Sequence, residues 1–212
     1  MVEIFTFAYY LAWKVLQLSR CGAHKLMYEV YNLTKMAFAD LSTISLRPFQ
    51  ISDVDDFFLW AGDEEVTRNL RWKTCGSKEE ALAFIRNVCI PHPWRRSICL
   101  DHPSIGFVSV YPWSGDERHK ADIGYAIGSS YWGQGITTKV LKIAVPQVFK
   151  DFPNLLRLQA FVDVENKASQ RVLEKVGFTR EGVLRKYTYF KGVVKDCAVY
   201  SFLSTDEILP GD

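Results

Sequence analysis

Two spacings of apolar residues alternate along the chain from Ile44 onward, and each predicts a kind of element. ISLRPF reads as a short strand offering Ile44, Leu46 and Phe49 to a core. Ser52 opens SDVDDFFLW with Asp55 three positions on, a capping-box spacing, and Val54, Phe57, Phe58 and Ala61 share one helical face. Ser77 and Glu80 repeat the box before ALAFIRNVCI, a second helix ended by Pro91 and Pro93. Strands are predicted at Arg96–Leu100, Ile105–Tyr111 and Asp122–Ile127, separated by the turn DHPS and the polar loop SGDERHK.

Ile136, Val140, Ile143, Ala144, Val148 and Phe152 then recur at helical spacing, with Pro146 expected to kink or shorten that helix. LLRLQAFVDV alternates, setting Leu156, Leu158, Ala160 and Val162 against Arg157, Gln159, Phe161 and Asp163. Asn166 starts a helix with Ala168, Val172 and Val176 inward and Gly177 as its stop. A closing hairpin turns at Lys191-Gly192. The order is strand, two helices, three strands, helix, strand, helix, hairpin.

The first forty residues read differently from the rest. Ile4, Phe7, Ala8, Leu11, Val15 and Leu18 share one face, which predicts an amphipathic helix. The apolar run around them is interrupted by Lys14 and is shorter than the ~20 residues a membrane span needs. Three roles stay open: packing on the body, lying on a membrane surface, or a dispensable extension with translation starting at Met36. Composition changes little. At 212 residues the chain suits one medium domain with an appendage, and a net charge of +2 gives no reason to expect a nucleic-acid binder. The five cysteines are scattered and never spaced C-x-x-C, which favours a reducing compartment, the cytoplasm or the nucleus, over disulfides or zinc. No metal is expected.

The candidate chemistry begins at SSYWGQGITTKV, Ser129 to Val140, where a glycine-flanked turn leads a strand into a helix. Amides at a helix start lack internal partners, and the helix dipole adds roughly half a positive charge there. Glycines keep side chains away from that backbone, so the turn suits a phosphate or pyrophosphate as well as simple capping. A P-loop would need Lys followed by Ser or Thr after its last glycine, and a dinucleotide fingerprint would need glycine at Thr138; neither fits.

Together with DIGYAI before it and VDVENKASQRVLEKVGF after it, this turn resembles the GNAT superfamily of acyl-coenzyme A N-acyltransferases, in the branch of the ribosomal-protein-alanine N-acetyltransferases. The likeness covers about Ile44 to Leu203. The family's Q/R-x-x-G-x-G/A motif falls on Trp132 to Thr137, departing at its first and last positions. The resemblance implies an α/β fold with a mixed, mostly antiparallel sheet, helices on both faces, and a parallel strand pair that splays to admit coenzyme A (CoA). Pantetheine would run along the backbone of Tyr125, Ala126 and Ile127, and Gly133, Gln134, Gly135, Ile136 and Thr137 would hold the pyrophosphate. An N–H near Ile127 would steady the oxyanion, and Lys139 and Lys142 are candidates for the ribose phosphate.

Asn166 and Ser169 match the branch's N-x-x-S. The resemblance implies that both side chains point into the gap as catalytic and cofactor contacts; Asn166 is also a favoured N-cap, and Ser169 is a candidate proton donor to the departing thiolate. The family's tyrosine acid is replaced by Leu173, and the carboxylate expected before Tyr189 is Thr188. Asp122, Asp63, Glu64 and Glu65 are therefore the candidate bases. Trp72, Trp94, Trp113, Tyr187 and Tyr189 are candidates for an aromatic acceptor pocket. The implied activity is acetyl transfer from acetyl-CoA to a primary amine, on a peptide N-terminus or a small molecule, by direct attack. The alternatives are a non-catalytic CoA-binding module of the same fold and a nucleotide binder of another fold.

Overall fold

The computed structural model describes residues 41–210; the helix expected within residues 1–40 lies outside them. The elements are β1 (Ile44–Arg47), α1 (Val54–Ala61), α2 (Glu64–Thr67), α3 (Lys78–Phe84), β2 (Trp94–Leu100), β3 (Ser104–Pro112), β4 (Lys120–Ile127), α4 (Ile136–Asp151), β5 (Arg157–Asp163), α5 (Lys167–Val176), β6 (Thr179–Phe190) and β7 (Val193–Leu203). The strands form one seven-stranded sheet in the order β1-β2-β3-β4-β5-β7-β6. Every neighbouring pair is antiparallel except β4 and β5.

The period-two alternation sends successive side chains to opposite faces, and each face has its own helices. On one face, Phe107 joins Phe57, Trp60, Ala61 and Val66 of α1–α2 and Ala81 and Ile85 of the α3 segment in a single apolar cluster. On the other, Phe202 meets Phe149 of α4 and Phe178 just beyond α5, with ring centroids 6.2 and 5.3 Å away. The Trp94 indole donates to Asp151 at 2.8 Å and ties the end of α4 to β2.

Several local expectations shift. Gln50 and Asp53, not Ser52 and Asp55, form the first capping box, around a tight turn at Ile51–Asp53. Asp53 is buried there and accepts a two-pronged pair from Arg47 at 2.8 and 2.6 Å. Ser77 does cap α3, accepting the Glu80 amide at 3.3 Å. Pro146 sits inside an unbroken α4. It lies on the exposed face, where the carbonyl it leaves unpaired can turn to water.

Ile143 is 36% exposed, and Leu141 and Val145 take the core side of α4. Leu156 precedes β5 and is exposed, whereas Gln159 is buried with Leu158, Ala160 and Val162, because helices or loops cover both faces of this central strand. In α5 the inward face is Gln170, Leu173 and Val176, with Ala168 exposed and Val172 half-buried. Gln170 turns inward because its amide donates to the carbonyls of Asp163 and Val164, at 3.2 and 2.9 Å. The hairpin turns at Lys191 and Gly192 as expected, both at positive φ (48° and 83°), the signature of a type I′ turn.

Candidate active site

β4 and β5 pair only at Lys120–Arg157, Ala121–Leu158 and Asp122–Gln159, and beyond Asp122 they separate. The Gly128 amide donates to Ile105 of the β3 side at 2.8 Å. Backbone groups alternate in direction along an antiparallel strand, so Ala126 also faces β3, while Tyr125 and Ile127 turn theirs towards the gap. The Ile127 carbonyl there already accepts the Trp132 indole N–H at 3.0 Å. The strand edge that borders the gap is therefore made by the backbone of Tyr125 and the Ile127 amide, while the backbone of Ala126 is turned to β3.

The gap opens at the SSYWGQG turn. Gly133 and Gly135 both lie at φ 76°, and no atom stands within 4 Å of where a Cβ would sit on either. Gly135 is the N-cap of α4, no side chain caps that end, and the first turn carries no acidic residue. The amides beginning at Ile136 and Thr137 are thus aimed outward beside the positive end of a 16-residue helix. Gln134 folds back, its amide donating to the Ser130 carbonyl at 3.0 Å, so its side chain shapes the loop. Lys139 and Lys142 are half-buried on the same helix.

On the far side of the gap, Asn166 caps α5 by accepting the Ser169 amide at 3.1 Å. The Ser169 hydroxyl lies 2.8 Å from the Tyr125 phenol oxygen. Burial pushes the Tyr125 pKa upward, so the phenol stays protonated near neutrality. Leu173 is fully buried, which makes it a core residue.

Where the strands part, Asp122 projects on the α1–α3 face. Its Oδ1 accepts both the Trp113 indole at 3.1 Å and the Gln159 amide at 2.9 Å. Arg157 donates to Gln159 at 3.2 Å and pairs with Glu181 through two bonds of 2.7 and 2.5 Å. The guanidinium, with Ser201, holds the Glu181 carboxyl well down, at about 2.

The other base candidates are placed differently. Asp63 caps α2 through the Glu65 amide at 2.8 Å and accepts the Ser129 hydroxyl at 2.5 Å. These bonds lower its pKa, which suits a tether more than a base. Glu64 and Glu65 are exposed.

Of the aromatic candidates, Trp94 is core, 2% exposed. Trp72 stacks on Phe57 at 6.2 Å, Tyr187 stacks on Phe161 at 5.2 Å, and Tyr189 is 76% exposed. Lys191 at the hairpin tip donates to the Thr67 carbonyl at 2.8 Å, and Arg71 reaches Thr188 at 3.5 Å. The α1–α3 connections and the hairpin thus meet over this face.

A splayed parallel pair, a glycine-flanked helix start at its open end and an Asn-capped helix opposite make one composite site, and related proteins can be compared with it. The family model described as "Acetyltransferase (GNAT) domain" matches residues 43–179. The N-acetyltransferase YoaA of Bacillus subtilis (strain 168) is 31% identical over 76% of this chain and 94% of its own. The chain belongs to the GNAT acetyltransferase family.

Within that family, the uS5-alanine N-acetyltransferase of Escherichia coli (strain K12) is 29% identical over 44% of this chain and 47% of its own. Mycobacterium smegmatis RimJ, solved in complex with CoA-disulfide, superposes with a TM-score of 0.65 at 25% identity, covering 76% of this chain and 82% of that one. The GNAT fold read from the sequence is the fold observed, and its family is one of N-acetyltransferases with ribosomal-protein enzymes among its members. Among the described residues no helix is long and apolar enough to cross a membrane, and no cluster of metal-ligating side chains occurs.

Three contributors were not singled out beforehand: the Tyr125 hydroxyl, the Gln159–Trp113 clamp on Asp122, and Gln170 fixing the end of β5. Each acts across 9 to 44 positions in sequence, or against local helix periodicity, where spacing carries no signal.

Proposed function

We propose that this chain transfers acetyl from acetyl-CoA to a primary amine, on a peptide or protein N-terminus or a small molecule, by direct attack in a ternary complex. The observation that carries this reading is the parting of β4 and β5 after Asp122, whose open end meets the uncapped, glycine-lined start of α4. The residues Gly133 to Thr137 hold the pyrophosphate on main-chain amides, and pantetheine lies in the gap against Tyr125 and Ile127. The free Ile127 amide faces the thioester oxygen; loss of such an oxyanion donor costs about 3–4 kcal/mol in related chemistry.

The amine arrives protonated and must lose a proton before it attacks. Asp122 takes that proton on Oδ2, the oxygen that Trp113 and Gln159 leave open. The amine nitrogen bonds to the acetyl carbon, its remaining extra proton passes to solvent as the tetrahedral intermediate collapses, and the carbon–sulfur bond breaks with its electron pair on sulfur. Ser169 donates a hydrogen bond to that sulfur. Of the described cysteines, Cys75, Cys89, Cys99 and Cys197 are free and buried, which supports a reducing cytoplasmic setting and disfavours an acyl-cysteine route. We assign the catalytic domain to residues 41–212.

Thr188 and Leu173, at positions where a carboxylate and a tyrosine were expected, favour a second reading: a CoA-binding module without turnover. Acetyl-CoA consumption measured against a panel of peptides and amines separates the two. Turnover with any acceptor supports the enzyme. Tight CoA binding with no turnover across the panel supports the module.

A further inference from the structure

We propose that the Tyr125 phenol aims the Ser169 hydroxyl into the gap between β4 and β5, making Tyr125 a positioning residue for departure of the CoA thiolate. This deepens the role proposed above for Ser169 and rests on it.

The geometry is specific. Tyr125 turns its backbone to the gap and its side chain to the α4–α5 face, where its oxygen lies 2.8 Å from Ser169 Oγ and 3.3 Å from the Ser169 carbonyl. Ser169 stands in the first turn of α5, its own amide already spent on the Asn166 cap at 3.1 Å. A serine hydroxyl has one proton to give and two lone pairs to receive with. The phenol has one proton for two acceptors, Ser169 Oγ at 2.8 Å and the Ser169 carbonyl at 3.3 Å, and Oγ is the nearer; with the phenol donating there, the serine proton is released to turn towards the gap. Without the phenol, a helical serine tends to return its proton to a carbonyl one turn earlier, out of reach of the ligand.

The phenol itself is not the proton source. Its burial holds it protonated, and a thiolate with an ordinary pKa of about 8.5 is too weak a base to remove that proton. The balanced step is therefore hydrogen bonding, with no net transfer between protein groups. The carbon–sulfur bond breaks, sulfur carries away the electron pair, Ser169 Oγ–H stabilises it, and solvent later protonates it. Leu173, fully buried, leaves no phenol on α5 to take over.

The test uses the full chain and reads the thiol of bound CoA directly by its ultraviolet thiolate absorbance across a pH titration, alongside kcat and KM. Tyr125→Phe and Ser169→Ala are each expected to raise the pKa of the bound thiol by about half to one unit, because a donor to the charged form is lost. Each should lower kcat roughly 5- to 10-fold, with KM for acetyl-CoA changed less than twofold. The double variant should be no worse than Ser169→Ala alone.

Losses that multiply in the double variant, or a Tyr125→Phe protein whose bound thiol titrates as in wild type, overturn the proposal. Wild-type protein that binds no CoA would defeat the parent reading instead. The two failures are thereby told apart, and retained CoA binding by Tyr125→Phe shows that the fold is intact.

Discussion

Asp122 is gripped through a single oxygen, and that asymmetry decides how its substitutions should behave. Both the Trp113 and Gln159 donors converge on Oδ1. Asn at this position keeps the shape but loses the basic oxygen, so Asp122→Asn should lower kcat about 100-fold or more while the affinity for CoA holds. Gln159→Leu removes one donor of the clamp, and a smaller loss, about 10-fold, is expected in the same steady-state assay. A kcat for Asp122→Asn within twofold of wild type would hand the proton to water. Gly135 gives a second residue-scale expectation. Its φ of 76° costs any other L-residue about 1–2 kcal/mol, although nothing blocks a Cβ sterically. Gly135→Ala should therefore lower Tm by a few degrees and weaken CoA binding, both readable from one thermal melt with and without CoA.

Among the elements, β4 depends on how closely β3 approaches it. A Cβ on Gly106 would sit 2.2 Å from the Ala126 carbonyl and 2.7 Å from Ile127 Cα, so only glycine fits there. Gly106→Ala is expected to cost about 2–3 kcal/mol in urea unfolding and to weaken CoA binding, because the displaced residues border the gap. The pair Arg157–Glu181 braces β5 against β6 and carries the Gln159 clamp. Glu181 is held at about 2 against an ordinary 4.5, so the native state keeps it ionised where the unfolded chain protonates it. Its contribution is present above pH 4.5 and fades as pH falls towards 2. The pair is solvent-exposed, so the effect is small: Glu181→Gln should flatten the acid limb of a Tm-against-pH curve slightly, and a steeper limb would contradict the assignment.

These elements also show what local pattern can disclose. The strand and helix order, the G-x-G turn and the N-x-x-S helix start were legible because period, glycine placement and capping act over a few residues. The inward turn of Gln170 was not, because a polar residue on an amphipathic helix normally faces water and here two strand-end carbonyls recruit it. Pro146 does not shorten α4, and the reason is again non-local: it sits on the exposed side of the helix, and which side faces solvent is settled by the sheet.

For the molecule as a whole, the two sides of the site are joined by tethers that no local signal marks. Ser129, beside the glycine-flanked turn, bonds Asp63 at the α1–α2 corner across 66 positions, and Lys191 reaches Thr67 across 124. The same corner therefore touches both the proposed pyrophosphate loop and the hairpin over the α1–α3 face, where we place the acceptor. Asp63, a candidate base by sequence, is better explained as this link, and its lowered pKa agrees. Family membership fixes the chemistry to acyl transfer, while the acceptor depends on the surface that these tethers shape.

On the function proposed above, the parted strands and the open start of α4 hold CoA. Isothermal titration of the full chain with CoA tests it most directly. Saturable heat with one site per chain, weakened by Gly135→Ala, is the expected result. Folded protein that releases no heat and gains no thermal stability at millimolar CoA would contradict it.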